Sequence, residues 1–116
     1  MADEPGQIAV EDEGGAWVVR VLGEHDLTTR EPLATELERV AAGGGHVVVD
    51  LTGTDFMDST ILGVLLGGHA RAAANDGTYA FVAPSGGRPR RLLELTRVAD
   101  RIPVFETRSE ALSSRA

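Results

Sequence analysis

Hydrophobic and polar positions along this chain follow two periods, one typical of strands and one typical of helices. Val47, Val48 and Val49 form a continuous β-branched run, which indicates a strand covered on both faces of a largely parallel sheet. A short polar segment follows, and it opens directly into an apolar helix near Ser59. Asp58 or Ser59 is a natural N-cap for that helix, because a side-chain oxygen there accepts a hydrogen bond from an unpaired backbone amide.

The same two periods predict the remaining elements. A strand, a helix and a second strand in succession form a crossover, which is right-handed in nearly all proteins. We therefore expect an α/β fold, with one mixed sheet of four or five strands packed by about four helices, largely on one face. Gly63 and Gly67 share one side of the helix that starts near Ser59, and we expect them to let it approach the sheet closely. Strands are predicted over residues 7–11, 17–22, 46–51, 78–83 and 102–105, and helices from residue 29 to the glycines at 43–45 and over 59–74, 88–97 and 107–114.

Ser59 also has a second interpretation beyond a plain helix cap. The first turn of a helix presents unpaired amides and a partial positive charge, so it tolerates a phosphoryl group on a hydroxyl placed there. Phosphorylation would add about 1.5 to 2 negative charges beside Asp55 and Asp58. The residues alone leave both interpretations open, a structural cap and a phosphorylation switch.

Three parts of the chain resemble the anti-sigma factor antagonist family, whose members are built on the STAS domain. The first part is Val48-Val49-Asp50-Leu51, followed by Phe56-Met57-Asp58-Ser59-Thr60 and Leu62-Gly63-Val64-Leu65. The second is Gly23-Glu24-His25-Asp26-Leu27, which is similar to the family's Gly-Glu-Leu-Asp-Leu turn. The third is Leu92-Leu93-Glu94-Leu95-Thr96 with Ile102-Pro103-Val104-Phe105. The likeness covers roughly residues 7 to 113 and departs at Ile61, where the family commonly has glycine.

The resemblance implies a single STAS-like domain with a regulatory function and no catalytic residues of its own. In that family the serine after the motif aspartate is phosphorylated by a partner, an anti-sigma factor with serine kinase activity, and that serine is Ser59 here. The unphosphorylated antagonist binds the anti-sigma factor and frees a sigma factor, and a separate serine phosphatase restores it. Asp58 would cap the helix and support modification, with Thr60 as a neighbour. We expect Ile61 and Leu62 to be exposed; the expected partner-binding residues are Glu24, Asp26, Thr28, Ile61 and Leu62.

Composition limits the other classes of function. The 116 residues are 42% hydrophobic, which suits one compact domain over residues 7–116 after a disordered leader at 1–6. The 18 acidic and 11 basic side chains give a net charge of -7, which disfavours direct binding of nucleic acid. Cysteine is absent, so disulfides and thiolate chemistry are excluded. No apolar run approaches about 18 residues, so we expect a cytoplasmic protein without a membrane span.

Two alternatives stay open at this stage. The chain could be a STAS scaffold in a signalling or transport assembly, with Ser59 acting only as a cap. It could also be a small hydrolase or nucleotide-binding protein that uses Asp26, Asp58 and Ser59, although residues 85–87 lack the lysine of a true phosphate-binding loop. The three histidines have no ligand spacing, so neither a metal site nor a cofactor is expected. The oligomeric state is not set by the sequence, and a homodimer is one of the options.

Overall fold

The structure of the protein is a computed structural model that describes residues 6–114. Residues 1–5, which form most of the predicted leader, and residues 115–116 lie outside the described part. The strands are β1 (Gln7–Glu13), β2 (Ala16–His25), β3 (His46–Asp50), β4 (Thr54–Met57), β5 (Thr78–Val82) and β6 (Val104–Phe105). The helices are α1 (Arg30–Ala41), α2 (Ser59–Ala74), α3 (Arg88–Leu95) and α4 (Arg108–Ser113), with 3₁₀ turns at Leu27–Thr29 and Val98–Asp100.

Within residues 6–114, six strands form one mixed sheet. Five of them lie side by side in the order β1-β2-β3-β5-β6, and β4 pairs with β2 outside that row. The β1–β2 pair is antiparallel, and the other pairs are parallel. The predicted α/β class and the mixed sheet are confirmed, while the sheet has one strand more than the upper end of the predicted four or five.

The additional strand β4 exists because β2 extends past the end of β3. Residues 17–20 of β2 pair with β3, whereas residues 23–25 pair with β4. The register shifts next to Gly23, whose φ of 81° is a conformation that glycine adopts at little cost. The prediction of a polar loop between β3 and α2 is therefore wrong over Thr54–Met57, where the chain forms strand β4. The projecting backbone of β2 offers hydrogen-bonding groups, and this segment satisfies them as a strand.

Helices α1, α2 and α3 share the main hydrophobic core on one face of the sheet, whereas α4 packs on the other face. Alternate residues of a strand point to opposite faces, so Val19 and Val21 of β2 join the main core and Val18 joins a smaller cluster with Ala111 of α4. The prediction of helices largely on one face is confirmed. Across the part of the chain that the structure describes, no helix is both long enough and apolar enough to cross a bilayer.

The glycines of α2 differ from prediction in which of them faces the sheet. A Cβ atom built on Gly68 would lie 2.6 Å from the Tyr79 hydroxyl, which itself donates a hydrogen bond to the Leu65 carbonyl at 2.8 Å. A Cβ on Gly63 or Gly67 would meet nothing within 4 Å, so the expectation that these two allow close approach to the sheet is wrong. They line a groove of about 660 Å³ between α1 and α2 instead.

Candidate functional site

Ser59 is the first residue of α2, one residue beyond the cap that starts the helix. Asp58 is that cap, because its Oδ1 accepts a hydrogen bond from the Ile61 amide at 3.0 Å. Ser59 is exposed, and Thr60 after it is half-buried. Of the two cap candidates in the sequence, the structure thus selects Asp58 and leaves the Ser59 hydroxyl at the surface of the first helical turn.

Parallel pairing of β2 and β4 gathers the predicted acidic residues around this turn. The last pair of the ladder is His25 with Met57, and the next residues of the two strands are Asp26 and Asp58. Both aspartates therefore leave the sheet at the same edge. Glu24, one pair earlier, lies opposite Phe56. With the exposed Asp55, these acids form what we call the acidic collar: Glu24, Asp26, Asp55 and Asp58.

The Asp26 carboxylate is held by the segment that follows it. Its Oδ1 accepts hydrogen bonds from the Thr28 hydroxyl at 2.6 Å and from the Thr28 amide at 2.9 Å. These two bonds, the hydroxyl bond first, lower the pKa of the Asp26 carboxyl from its ordinary value. Asp26 thus caps the 3₁₀ turn at Leu27–Thr29 and keeps its negative charge at neutral pH, while the Thr28 hydroxyl is engaged within the turn.

The expectation that Ile61 and Leu62 are exposed at the start of α2 is wrong. Ile61 is 0% exposed and Leu62 is 6% exposed, and both belong to the main core. Ile61 lies on the same face of the helix as Leu65, four residues later, so its side chain points into the core above the sheet. Neither residue can act as a surface anchor, and Ile61, the position at which the sequence resemblance departs, fills the core.

Two exposed apolar side chains near Ser59 were missed from the sequence. Leu27 is 69% exposed in the turn after β2, and Phe56 is 44% exposed on β4. The sequence held a signal for Leu27, which is a large apolar residue inside the polar segment at residues 24–29, whereas Phe56 stands beside the apolar Met57. Exposed aromatic and aliphatic side chains beside charged groups are typical anchors of protein interfaces. The surface around Ser59 therefore combines negative charge with two apolar groups.

His25 supports this surface from below and does not take part in it. The ring is fully buried, with Nε2 3.0 Å from the Leu22 carbonyl and Nδ1 3.0 Å from the Thr29 hydroxyl. Since a carbonyl only accepts, Nε2 donates to Leu22, and Nδ1 forms the hydrogen bond with the Thr29 hydroxyl. The ring thereby ties the end of β2 to the start of α1, a role for which the sequence offered no specific signal.

The loop at residues 85–87, considered above for phosphate binding, is occupied by a carboxylate of the chain itself. Glu106 accepts hydrogen bonds from the Ser85 hydroxyl and from the Ser85 amide, the latter at 3.0 Å, and it pairs with Arg90 at 2.9 Å. The Asp26 and Asp58 carboxylates likewise accept backbone amides. No observation at these residues therefore favours the hydrolase or nucleotide-binding alternative.

Comparison with known proteins decides the family. The STAS domain family matches residues 7–111 of this chain. The chain belongs to the STAS domain family. This STAS domain is 28% identical over 109 residues to an anti-sigma F factor antagonist of Paenibacillus polymyxa, covering 92% of each chain.

Solved STAS structures agree with this assignment. The crystal structure of an anti-sigma factor antagonist from Mycobacterium paratuberculosis superposes with a TM-score of 0.85 at 28% identity, covering 96% of this chain and 94% of that one. The Bacillus cell fate determinant SpoIIAA in its phosphorylated form gives a TM-score of 0.70 at 21% identity, covering 94% of this chain and 97% of that one. At that identity the second likeness establishes the shared fold of the STAS domain and nothing more.

Proposed function

We propose that this protein is a cytoplasmic anti-sigma factor antagonist switched by phosphorylation of Ser59. Unphosphorylated, it binds an anti-sigma factor with serine kinase activity, and the sigma factor held by that partner is released. The partner's kinase activity transfers a phosphoryl group to Ser59 and ends the complex. A serine phosphatase removes the group and returns the antagonist to its binding form.

The observation that carries this proposal is that Asp58, and not Ser59, caps helix α2. Because Asp58 supplies the cap, the Ser59 hydroxyl is exposed and free of that structural duty. Its place in the first turn of α2 favours added negative charge through the helix dipole. The relatives named as anti-sigma factor antagonists, each 28% identical to this chain, support the same function.

The acidic collar explains how one phosphate could end binding without a change of fold. A partner surface that fits the collar carries positive charge, and it must also bring its phosphate donor to Ser59. A phosphoserine adds about 1.5 to 2 negative charges beside Asp58. It also places a bulky dianion where the partner's kinase site would otherwise lie in contact. The phosphate donor that the partner brings to Ser59 is itself negatively charged, and like charges brought together at an interface cost several kcal/mol, enough to weaken a complex by more than about tenfold.

The experiment that tests the switch is a mass measurement on protein purified from its own cells. The intact mass is compared before and after treatment with a serine phosphatase, and peptide mapping then locates the modified residue. We expect one removable phosphate on Ser59, lost in Ser59→Ala and retained in Thr60→Ala. An unchanged phosphate in Ser59→Ala would falsify the site.

Binding provides the second part of that test. The anti-sigma factor that co-purifies with Ser59→Ala is expected to bind Ser59→Asp at least about tenfold more weakly. If Ser59→Asp binds the same partner with equal affinity, the protein is a STAS scaffold and not a switch. Thr60→Asp, which adds the same charge one residue further along the helix, shows whether the effect depends on position.

Leu27 is the best candidate for an apolar anchor of that complex. As 69% of its surface is exposed, Leu27→Ser should leave the free energy of unfolding within about 0.5 kcal/mol of the wild type. Loss of an interface anchor typically costs 1 to 2 kcal/mol, so we expect about fivefold to thirtyfold weaker binding of the anti-sigma factor by titration calorimetry. The matched control is Leu95→Ser, since Leu95 is 71% exposed at the end of α3. Equal losses in both variants would contradict the assignment.

A further inference from the structure

Asp50, the last residue of β3, connects two separate parts of the molecule. It is only 7% exposed, and both of its carboxylate oxygens are engaged. Oδ2 lies 3.2 Å from Nη2 of Arg108 on α4, and Oδ1 accepts a hydrogen bond from the Thr52 amide at 3.0 Å. A buried carboxylate bound on both oxygens fixes both of its partners, because releasing either one leaves a buried charge less well satisfied.

The bond to Thr52 is the first of a series that positions the start of β4. Thr54 donates its amide to the Leu51 carbonyl at 3.1 Å, which closes the turn, and its hydroxyl to the Val21 carbonyl at 2.6 Å. The Gly53 carbonyl accepts the Gly23 amide at 2.9 Å, which docks the turn on β2. β4 then runs directly into the Asp58 cap and Ser59. The hydrogen bonds that begin at Asp50 therefore position β4 and, through it, the segment that carries Ser59.

Arg108 is held at this point by more than Asp50. Its Nη1 lies 2.6 Å from Glu13 and 3.0 Å from Glu11, both on β1. Arg108 is also the first residue of α4, where the helix dipole disfavours a positive charge. Its ion pairs with three carboxylates offset that disadvantage. The guanidinium therefore stabilises the packing of α4 against β1 and β3, and it does not stabilise α4 itself.

We propose that Arg108 and Asp50 are positioning residues for Ser59. Their ion pair holds the turn at residues 51–53, the turn sets β4 against the end of β2, and that pair of strands presents Ser59. Docking of α4 on one face of the sheet thereby controls the geometry of a site framed by helices on the other face. Only the part of this inference that concerns modification of Ser59 rests on the proposed function.

Amide hydrogen exchange tests the positioning role without any partner. Arg108→Gln keeps a polar side chain and removes the charge that Asp50 faces. We expect exchange at the Gly23, Thr52 and Thr54 amides to quicken by about tenfold or more relative to core amides of β3 and β5. Arg108→Lys, which keeps a positive charge within reach, should restore most of the protection.

Two variants serve as matched controls for the same measurement. Glu13→Gln removes a carboxylate from the Arg108 guanidinium but leaves Asp50 in place, and Arg20→Gln removes a neighbouring arginine that pairs with Glu11 at 3.5 Å. Both should leave exchange at Thr52 within about twofold of the wild type. Unchanged exchange at Thr52 in Arg108→Gln overturns the proposal, and so does a uniform rise across the core amides, which marks a purely global destabilisation.

The kinetics of Ser59 phosphorylation provide the second test of the positioning role. With the kinase partner in hand, kcat/KM for modification of Ser59 should fall at least about fivefold in Arg108→Gln and stay unchanged in Arg20→Gln. Unchanged kcat/KM in Arg108→Gln overturns positioning of Ser59. If Ser59 accepts no phosphate even in the wild type, the proposed function fails, while the exchange measurement still decides whether the ion pair positions this segment.

Discussion

Asp58 and Ser59 perform different tasks at adjacent positions, and a pair of substitutions separates them. Asp58→Ala removes the acceptor for the Ile61 amide, so we expect the free energy of unfolding to fall by about 1 kcal/mol. Asp58→Asn keeps an oxygen acceptor and removes only the charge, and should cost no more than a few tenths of a kcal/mol. Urea denaturation followed by circular dichroism measures both. A loss in Asp58→Asn as large as in Asp58→Ala would assign the effect to charge and not to capping.

At the residue scale, the sequence supported some assignments and not others for identifiable reasons. Asp58 and Ser59 could be placed because a polar residue before an apolar run marks a helix start wherever the helix packs. Ile61 and Leu62 were misplaced because the apolar run continues through Val64, Leu65 and Leu66, which gives no preferred side. Packing on the sheet decides which side of such a helix faces the core, and the local sequence pattern does not report that contact.

At the element scale, long periodic segments were predicted well and the short strand β4 was missed. The helix from 59 to 74 and the strand at 78 agree with the structure at their starts, because each has its own hydrophobic period and a clear stop signal. β4 has four residues, of which only the first and last are buried. It is a strand because β2 projects past β3, and such a long-range cause has no counterpart in its own sequence. The start of the helix at Ser59 was thus predicted from local pattern, whereas the strand pairing that supports this segment was not.

At the scale of the whole molecule, the net charge of -7 means that lowering the pH protonates many carboxylates, and the change in the free energy of unfolding shows which of them stabilise the fold. Protonation of carboxylates without partners relieves repulsion and favours the folded state, whereas protonation of carboxylates that accept hydrogen bonds opposes it. Glu106 belongs to the second class. Hydrogen bonds from the Ser85 hydroxyl and amide, and then the charge of Arg90, lower the pKa of its carboxyl from the ordinary value of 4.5.

The sign of the Glu106 effect follows from that lowered pKa. A carboxyl whose pKa is lower in the folded state stabilises the fold above its unfolded pKa, and the stabilisation disappears as the pH falls through the folded value. We therefore expect Glu106→Gln to lower the free energy of unfolding at pH 7, and the difference from the wild type to shrink below the ordinary pKa of 4.5 and vanish only once the pH has fallen through the lowered pKa of the folded state. Denaturant titrations at several pH values measure the difference, with Glu94→Gln on α3 as the control for loss of an exposed carboxyl. A difference that stays constant down to low pH would mean that Glu106 acts through packing of its side chain and not through its charge.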